Sequence, residues 1–156
     1  MKKVLDKITR EVYRLLHPIL WKKRLQINGI PSITNFKKLK IGKDVSINRD
    51  VYIQTSGGGV TLGDRVTLSK GCFILTEGLD TNNYIENAHK RYRDHVSKNV
   101  VIGDGTWIAA GVIVCPGVSI ASNSIVAAGS VVVEDLTEDG VLYGGIPAKK
   151  IRDILK

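Results

Sequence analysis

The chain has 156 residues, 43% of them hydrophobic, and a formal charge of +8 at pH 7, which suits one domain with a modest core. Its two cysteines, Cys72 and Cys115, have neither disulfide-framework nor metal-ligand spacing, so a disulfide scaffold and a cysteine-held metal are excluded. It contains no secretory signal and no apolar run of about eighteen residues, so the cytoplasm is the expected compartment.

The excess charge is all N-terminal. Residues 1–49 hold 13 Lys and Arg against 3 Asp and Glu, whereas the remainder holds 10 against 12. Within this basic part Val4, Leu5, Ile8, Val12, Leu15, Leu16, Ile19 and Leu20 recur at three and four, the period of a helix with one apolar face. Pro18 is expected to bend or divide that helix, and the turn residues from Asn28 to Ser32 end it. Residues 1–30 are therefore expected to form an amphipathic helical cap over the open end of a repetitive fold. A second reading lays residues 1–25 on an anionic membrane surface, peripheral to its inner face. Little aromatic interleaving and no binding motif speak against a nucleic-acid partner.

From Ile41 the helical period gives way to a count of six. Ile41, Ile47 and Ile53 are six apart; after a slip at Ser56 to Gly59 the spacing resumes at Leu62, Leu68 and Ile74. Ile102, Ile108, Val114, Ile120, Val126 and Val132 then continue it without a break. No helix has that period. Four places after the aliphatic stands a small or β-branched residue, as at Val45, Val51, Val66, Cys72, Thr106, Val112, Val118, Ser124 and Ser130. Such a chain runs short strand, turn, short strand. Three short strands joined by turns enclose a triangular prism that takes one aliphatic per face, and stacked coils bury a continuous column.

The run "VIGDGTWIAAGVIVCPGVSIASNSIVAAGSVVVEDL", followed by "GGIPAKKIR", resembles the hexapeptide-repeat acyltransferases. It is similar to the sugar and polysaccharide O-acetyltransferases and to the galactoside and maltose acetyltransferases. The likeness covers residues 28 to 152 and implies an all-β solenoid, a left-handed parallel β-helix. That hand comes from the resemblance, since the usual crossover preference is right-handed. The expected organisation is a β-helix over 31–140 with an external loop at 77–99, and a tail at 141–156 that contacts acetyl-CoA.

Residues 77–99 interrupt the count, and a solenoid tolerates an insertion at a coil corner because pairing above and below stays intact. In the acetyltransferases it resembles, such a loop reaches a neighbouring subunit and helps wall an active site between two prisms, which implies a homotrimer. Acetyl transfer to a hydroxyl needs a base that works near neutral pH, a task suited to histidine. The galactoside and maltose enzymes keep a histidine just after the coil, but here that stretch reads Thr76, Glu77, Gly78, Leu79, Asp80. The base must come from elsewhere. His17 lies in the N-terminal helix and reads as structural, while His89 sits in mid-loop. His95 stands where the chain rejoins the prism, in a "YRDH" that loosely echoes the Asp-Arg-His of serine acetyltransferases. Rejoining fixes the backbone, so His95 is the expected base and His89 the alternative. An imidazole base needs a partner that fixes its tautomer; of Glu77, Asp80, Glu86 and Asp94, Glu77 is the first candidate. Backbone N–H groups of the coil wall or a loop side chain would meet the oxyanion.

For the donor, the resemblance puts Ala110 of "WIAAG" and Ala128 of "VAAGS" at pantetheine contacts. It puts Lys149 and Arg152 on the nucleotide phosphates, which cationic side chains suit. The Thr-Lys pair usual after the last coil is here Val133 and Glu134. Trp107 is expected to shape the cleft wall, and Cys115 to be a reduced thiol on a coil wall. The expected function is O-acetylation of a sugar hydroxyl from acetyl-CoA in glycan or surface-polysaccharide biosynthesis, by direct transfer and without a metal. Three other readings stand beside it. An amino-sugar amine could take the same groove and base. A γ-type carbonic anhydrase would need three histidines around a metal. A scaffold would have lost the chemistry altogether.

Overall fold

An aliphatic repeated every six residues and strands only two or three residues long leave the chain one way to bury its apolar side chains: winding. The computed structural model describes residues 2–17, 25–82 and 84–154. Helix α1 spans Lys2–Leu16; the bend expected at Pro18 lies outside the described residues, as do Ile19 and Leu20. The first coil follows, with β1 (Gln26–Asn28), β2 (Ser32–Ile33) and β3 (Leu39–Ile41). The second holds β4 (Ser46–Asn48), β5 (Tyr52–Ile53) and β6 (Val60–Leu62). In the third, β7 (Thr67–Leu68) and β8 (Phe73–Ile74) are followed by an external hairpin, β9 (Glu77–Leu79) and β10 (His95–Ser97), before β11 (Val100–Ile102). The fourth holds β12 (Trp107–Ile108), β13 (Ile113–Val114) and β14 (Ser119–Ile120), and the fifth β15 (Ile125–Val126) and β16 (Val131–Val132). Leu136 then bridges to Ile120, and β17 (Val141–Gly144) and β18 (Lys149–Asp153) end the fold.

These strands form a left-handed parallel β-helix. Its first face is the seven-stranded sheet β1-β4-β7-β12-β15-β17-β18, its second the five-stranded β2-β5-β8-β13-β16, and its third the four-stranded β3-β6-β11-β14. Every ladder is parallel except β17 with β18 and the external β9 with β10. The inward column is the six-residue series with Ile27, Leu136 and Tyr143 added at its ends: Ile27, Ile47, Leu68, Ile108, Val126 and Tyr143 line the first face, Ile53, Ile74, Val114 and Val132 the second, and Ile41, Leu62, Ile102, Ile120 and Leu136 the third, all buried. The residues four places on, from Val45 to Ser130, are buried as well. Among them Thr106 Oγ1 donates to Ala121 O at 3.0 Å and Ser130 Oγ to Ala127 O at 2.7 Å, so these buried hydroxyls are paired.

The coils extend past the boundaries set at 31 and 140. Ile27 already enters the column and Val141–Gly144 still pairs in parallel with β15, because both carry an inward apolar side chain that a coil must bury. At the N-terminal end α1 touches the first coil through two rings. Tyr13 donates its hydroxyl to Pro31 O at 3.1 Å, and His17 stacks on Phe36 with centroids 4.0 Å apart.

Burial pushes the Tyr13 phenol from 10 up to about 12. Its folded pKa is raised, so the docked state holds its proton where the free chain has lost it; the stabilisation is complete below pH 10 and lost as pH rises through about 12. The thermal midpoint of the protein is therefore expected to fall more steeply between those limits than that of Tyr13→Phe. Parallel melting curves against pH check this; identical slopes would count against a docked Tyr13.

Candidate active site

The external hairpin stands on the corner between the second and third faces, and its base is pinned on three sides. Lys98 N donates to Thr76 O at 2.8 Å, and Asp80 N donates to Asp94 O at 2.8 Å, prolonging the ribbon. Below it lie Ser56 to Gly59, the residues at which the count of six slips. A side chain at Gly57 would collide with Ser97 and one at Gly58 with the Lys98 carbonyl, while Gly59 N donates to Asn99 Oδ1 at 2.8 Å. The slip and the insertion thus occupy the same corner of successive coils. Three extra residues in the second coil give the loop base its seat.

His95 opens β10, opposite Leu79, and Ser97 stands opposite Glu77. The ring is exposed, and its Nδ1 lies 3.0 Å from Arg93 O. A carbonyl oxygen only accepts, so in the neutral ring Nδ1 carries the proton and Nε2 offers its lone pair. That is the tautomer a general base needs.

Glu77 does not supply this orientation within one chain. It shares a face of the ribbon with His95 but sits diagonally from it, a relation in which Cα atoms are about 7–8 Å apart. Its carboxylate accepts from Ser56 Oγ at 3.0 Å, and Gln54 Oε1 accepts from its amide at 3.2 Å. A main-chain carbonyl two residues back does what a carboxylate was expected to do.

Asp80 and Asp94 are spent on the loop itself, while Glu86 is exposed with no partner among the described residues. Asp94 accepts from Asn87 Nδ2 at 2.9 Å and Lys90 Nζ at 3.2 Å, and Asp80 Oδ1 caps the Asn82 amide at 2.9 Å. Arg93 lies over the Tyr84 ring at 4.6 Å. His89 is exposed in the tip these contacts shape, with no hydrogen-bond partner among the described residues. His17, on Phe36, is remote from both in the fold. Among the described residues no three His, Cys, Asp or Glu come together as a metal site, so the three-histidine arrangement does not form within one chain.

Ala110 and Ala128 occupy the other edge of the second face, its corner with the first. Both are exposed, on successive coils, joined by a hydrogen bond from Gly129 N to Ala110 O at 2.9 Å. Their own amides have no acceptor among the described residues. Gly111 and Gly129 follow them with φ of 68° and 71°, and a Cβ at either would meet nothing within 4 Å. The result is an open edge with free backbone donors one coil apart, which fits an extended amide-bearing chain such as a pantetheine arm.

Lys149 and Arg152 lie on β18, opposite Gly144 and Leu142, at the top of this region. Lys149 Nζ is held 3.1 Å from Glu134 Oε2, the residue that replaces the Lys of the usual pair; Arg152 pairs with no carboxylate among the described residues. Lys150 is bound by Asp153 and Glu138 at 2.7 and 2.6 Å, which hold its ammonium above the usual lysine range. Trp107 is half exposed on the first face, its Nε1 donating to Ser69 Oγ at 2.8 Å. Burial pushes the Cys72 and Cys115 thiols up, so neither is poised as a nucleophile.

A left-handed prism with a six-residue repeat to each side, an external loop and a glycine-open edge defines the class of hexapeptide-repeat proteins. The chain belongs to that family: residues 99–133 match the profile described as bacterial transferase hexapeptide (six repeats). It is 29% identical over 118 residues to the galactoside O-acetyltransferase of Escherichia coli K12, covering 72% of this chain and 56% of that one. It is 32% identical over 107 residues to the galactoside O-acetyltransferase of Lactococcus lactis, covering 66% and 50%. The chain thus spans about half the length of these curated relatives. A hexapeptide-repeat-containing acetyltransferase from Vibrio cholerae, solved in complex with acetyl coenzyme A, superposes with a TM-score of 0.75 at 25% identity, over 97% of this chain and 80% of that one.

Proposed function

We propose that the chain transfers an acetyl group from acetyl-CoA to a sugar hydroxyl, in a homotrimer whose active sites lie between subunits. The observation that carries this reading is the arrangement of the second face. Its outward residues form an apolar ladder, Tyr52, Phe73, Ile113 and Val131 in register over four coils. Its two edges carry the histidine hairpin on one side and the Ala110–Ala128 edge on the other. Copies packed around a threefold axis through this face set the hairpin edge of one subunit beside the open edge of the next, since a heterologous contact joins unlike edges. Within one prism the two edges are a full face apart. The relatives named as galactoside O-acetyltransferases and the acetyl-CoA complex support the same chemistry.

In the proposed reaction the acceptor hydroxyl gives its proton to His95 Nε2 as its oxygen attacks the thioester carbonyl. The C–S bond then breaks and coenzyme A leaves as a thiol, taking the proton back from the imidazole. Thiol release from acetyl-CoA, screened over glycosides, nucleotide sugars, lipid-linked sugars and amino sugars, tests the reading and separates O- from N-transfer. Mixed trimers test the shared site: His95→Ala and Ala128→Trp, each inactive alone, are expected to recover about a quarter of wild-type activity when co-assembled, because a random mixture pairs one intact edge of each kind that often. No recovery would put the site within one chain.

For the donor, Lys149→Ala with Arg152→Ala is expected to raise KM for acetyl-CoA by about tenfold or more, charged hydrogen bonds being worth about 1.5 to 3 kcal/mol before solvent screening. Glu134→Gln is expected to lower it about twofold by releasing Lys149. Steady-state kinetics at saturating acceptor measures both, and an unchanged KM in the double variant would remove these residues from the donor site.

A further inference from the structure

Among the described side chains, helix α1 and the residue after it meet the first coil through Tyr13 and His17. These two reach Pro31 and Phe36, but Ile8, Val12, Leu15 and Leu16, spaced at four, three and one, fall on a separate stripe and are 55%, 48%, 66% and 71% exposed. About 100° of rotation per residue makes that stripe continuous along the helix. The helix carries Lys2, Lys3, Lys7, Arg10 and Arg14 against Asp6 and Glu11, and the next two coils add Lys37, Lys38, Lys40, Lys43 and Arg49 against Asp44 and Asp50. The far end of the prism is close to neutral, because Glu134, Asp135, Glu138, Asp139 and Asp153 are offset in sequence by Lys149, Lys150, Arg152 and Lys156, with Lys149 and Lys150 ion-paired to Glu134 and Glu138. The open apolar stripe therefore coincides with the positive pole of the molecule.

We infer that α1 lies in the interface of an anionic bilayer, its stripe of Ile8, Val12, Leu15 and Leu16 among the acyl chains, and holds the prism against a membrane by its N-terminal end. A helix with a narrow apolar stripe and basic residues around it binds this way, by buried apolar area together with attraction to anionic headgroups. Charge favours an anionic surface over a second copy of the chain as the occupant, because self-association through this stripe would lay two basic helices directly against each other. The cap and the membrane contact then belong to two sides of one helix, Tyr13 and His17 facing the coil and the stripe facing lipid. No transmembrane span is implied: no described helix is long and apolar enough to cross a membrane.

The test uses the full chain and sucrose-loaded vesicles of phosphatidylcholine, with and without about a third phosphatidylglycerol. The protein is expected to sediment with the anionic vesicles, at least about tenfold more tightly than with the neutral ones, and to be released as salt rises to about 0.5 M. Leu15→Ser with Leu16→Ser is expected to weaken that binding by about tenfold while leaving the thermal midpoint and the mass by light scattering at their wild-type values. Three results would each overturn the inference: no sedimentation with anionic vesicles, equal binding to both vesicle types, or wild-type binding by the double variant. A fall in oligomeric mass in that variant would also overturn it and assign the stripe to a second copy. None of these outcomes depends on acetyl transfer.

Discussion

His95→Ala is expected to lower kcat for acetyl transfer by about 10²- to 10⁴-fold, the usual worth of a positioned general base, with KM for acetyl-CoA little changed. The split follows from the geometry. His95 stands on the hairpin edge, whereas Ala110 and Ala128 stand on the opposite edge of the second face, so removing the imidazole takes nothing from the donor contacts. His89→Ala is expected to cost much less, since that ring sits at the exposed tip with no hydrogen-bond partner among the described residues to orient it. Glu77→Gln is expected to lose less than about tenfold, because Arg93 O rather than the carboxylate holds the imidazole tautomer. Measuring kcat for the three variants with one active acceptor decides the assignment. An inactive His89→Ala beside an active His95→Ala would move the base to the loop tip. Should both stay active, the chain has no histidine base and the scaffold reading takes its place.

Ile108→Asp is expected to give insoluble or unfolded protein. Ile108 has no exposed surface and packs in register between Leu68 and Val126 along the first face. An unpaired carboxylate there costs several kcal/mol, comparable to the 5–15 kcal/mol that holds a typical domain together. Its neighbour is the control. Trp107 points outward, and Trp107→Asp, which loses the Ser69 hydrogen bond and some apolar cover, is expected to remain soluble and folded. Expression, solubility and circular dichroism of the pair give the answer, and a folded Ile108→Asp would mean the six-residue register is wrong.

Much of the fold could be read before any coordinates. Each aliphatic from Ile41 to Val132 occurs where the next turn of the winding needs one, so burial in this solenoid is a local property repeated rather than a meeting of distant segments. The N-terminal helix was legible for the same reason, since a period of three and four is a statement about one short stretch. The position of the loop also followed from the count, by its interruption. The slip at Ser56 to Gly59 is a signal that could have been used further: placed on the coil map, it sits beneath the loop's return and marks which corner carries the insertion.

The candidate site was only partly legible. Chemical type left three histidines and four carboxylates and place in the loop chose His95 and Glu77, but whether they touch is a matter of strand pairing: an antiparallel ribbon in which Ser97 rather than His95 faces Glu77 sets the two side chains on a diagonal. The ion pair between Lys149 and Glu134 joins residues fifteen apart through the top of the prism, a distance no periodicity reports. The stripe on α1 was visible as an apolar face, but which side meets the coil depended on Tyr13 and His17 finding Pro31 and Phe36. The sequence by itself therefore determined the winding, the inward column and the place of the insertion, because those repeat within six residues. Only the tertiary structure decided which edge carries each half of the site, which atom orients the histidine and which side of the helix stays open, because each depends on contacts between residues that the winding brings together from separate coils.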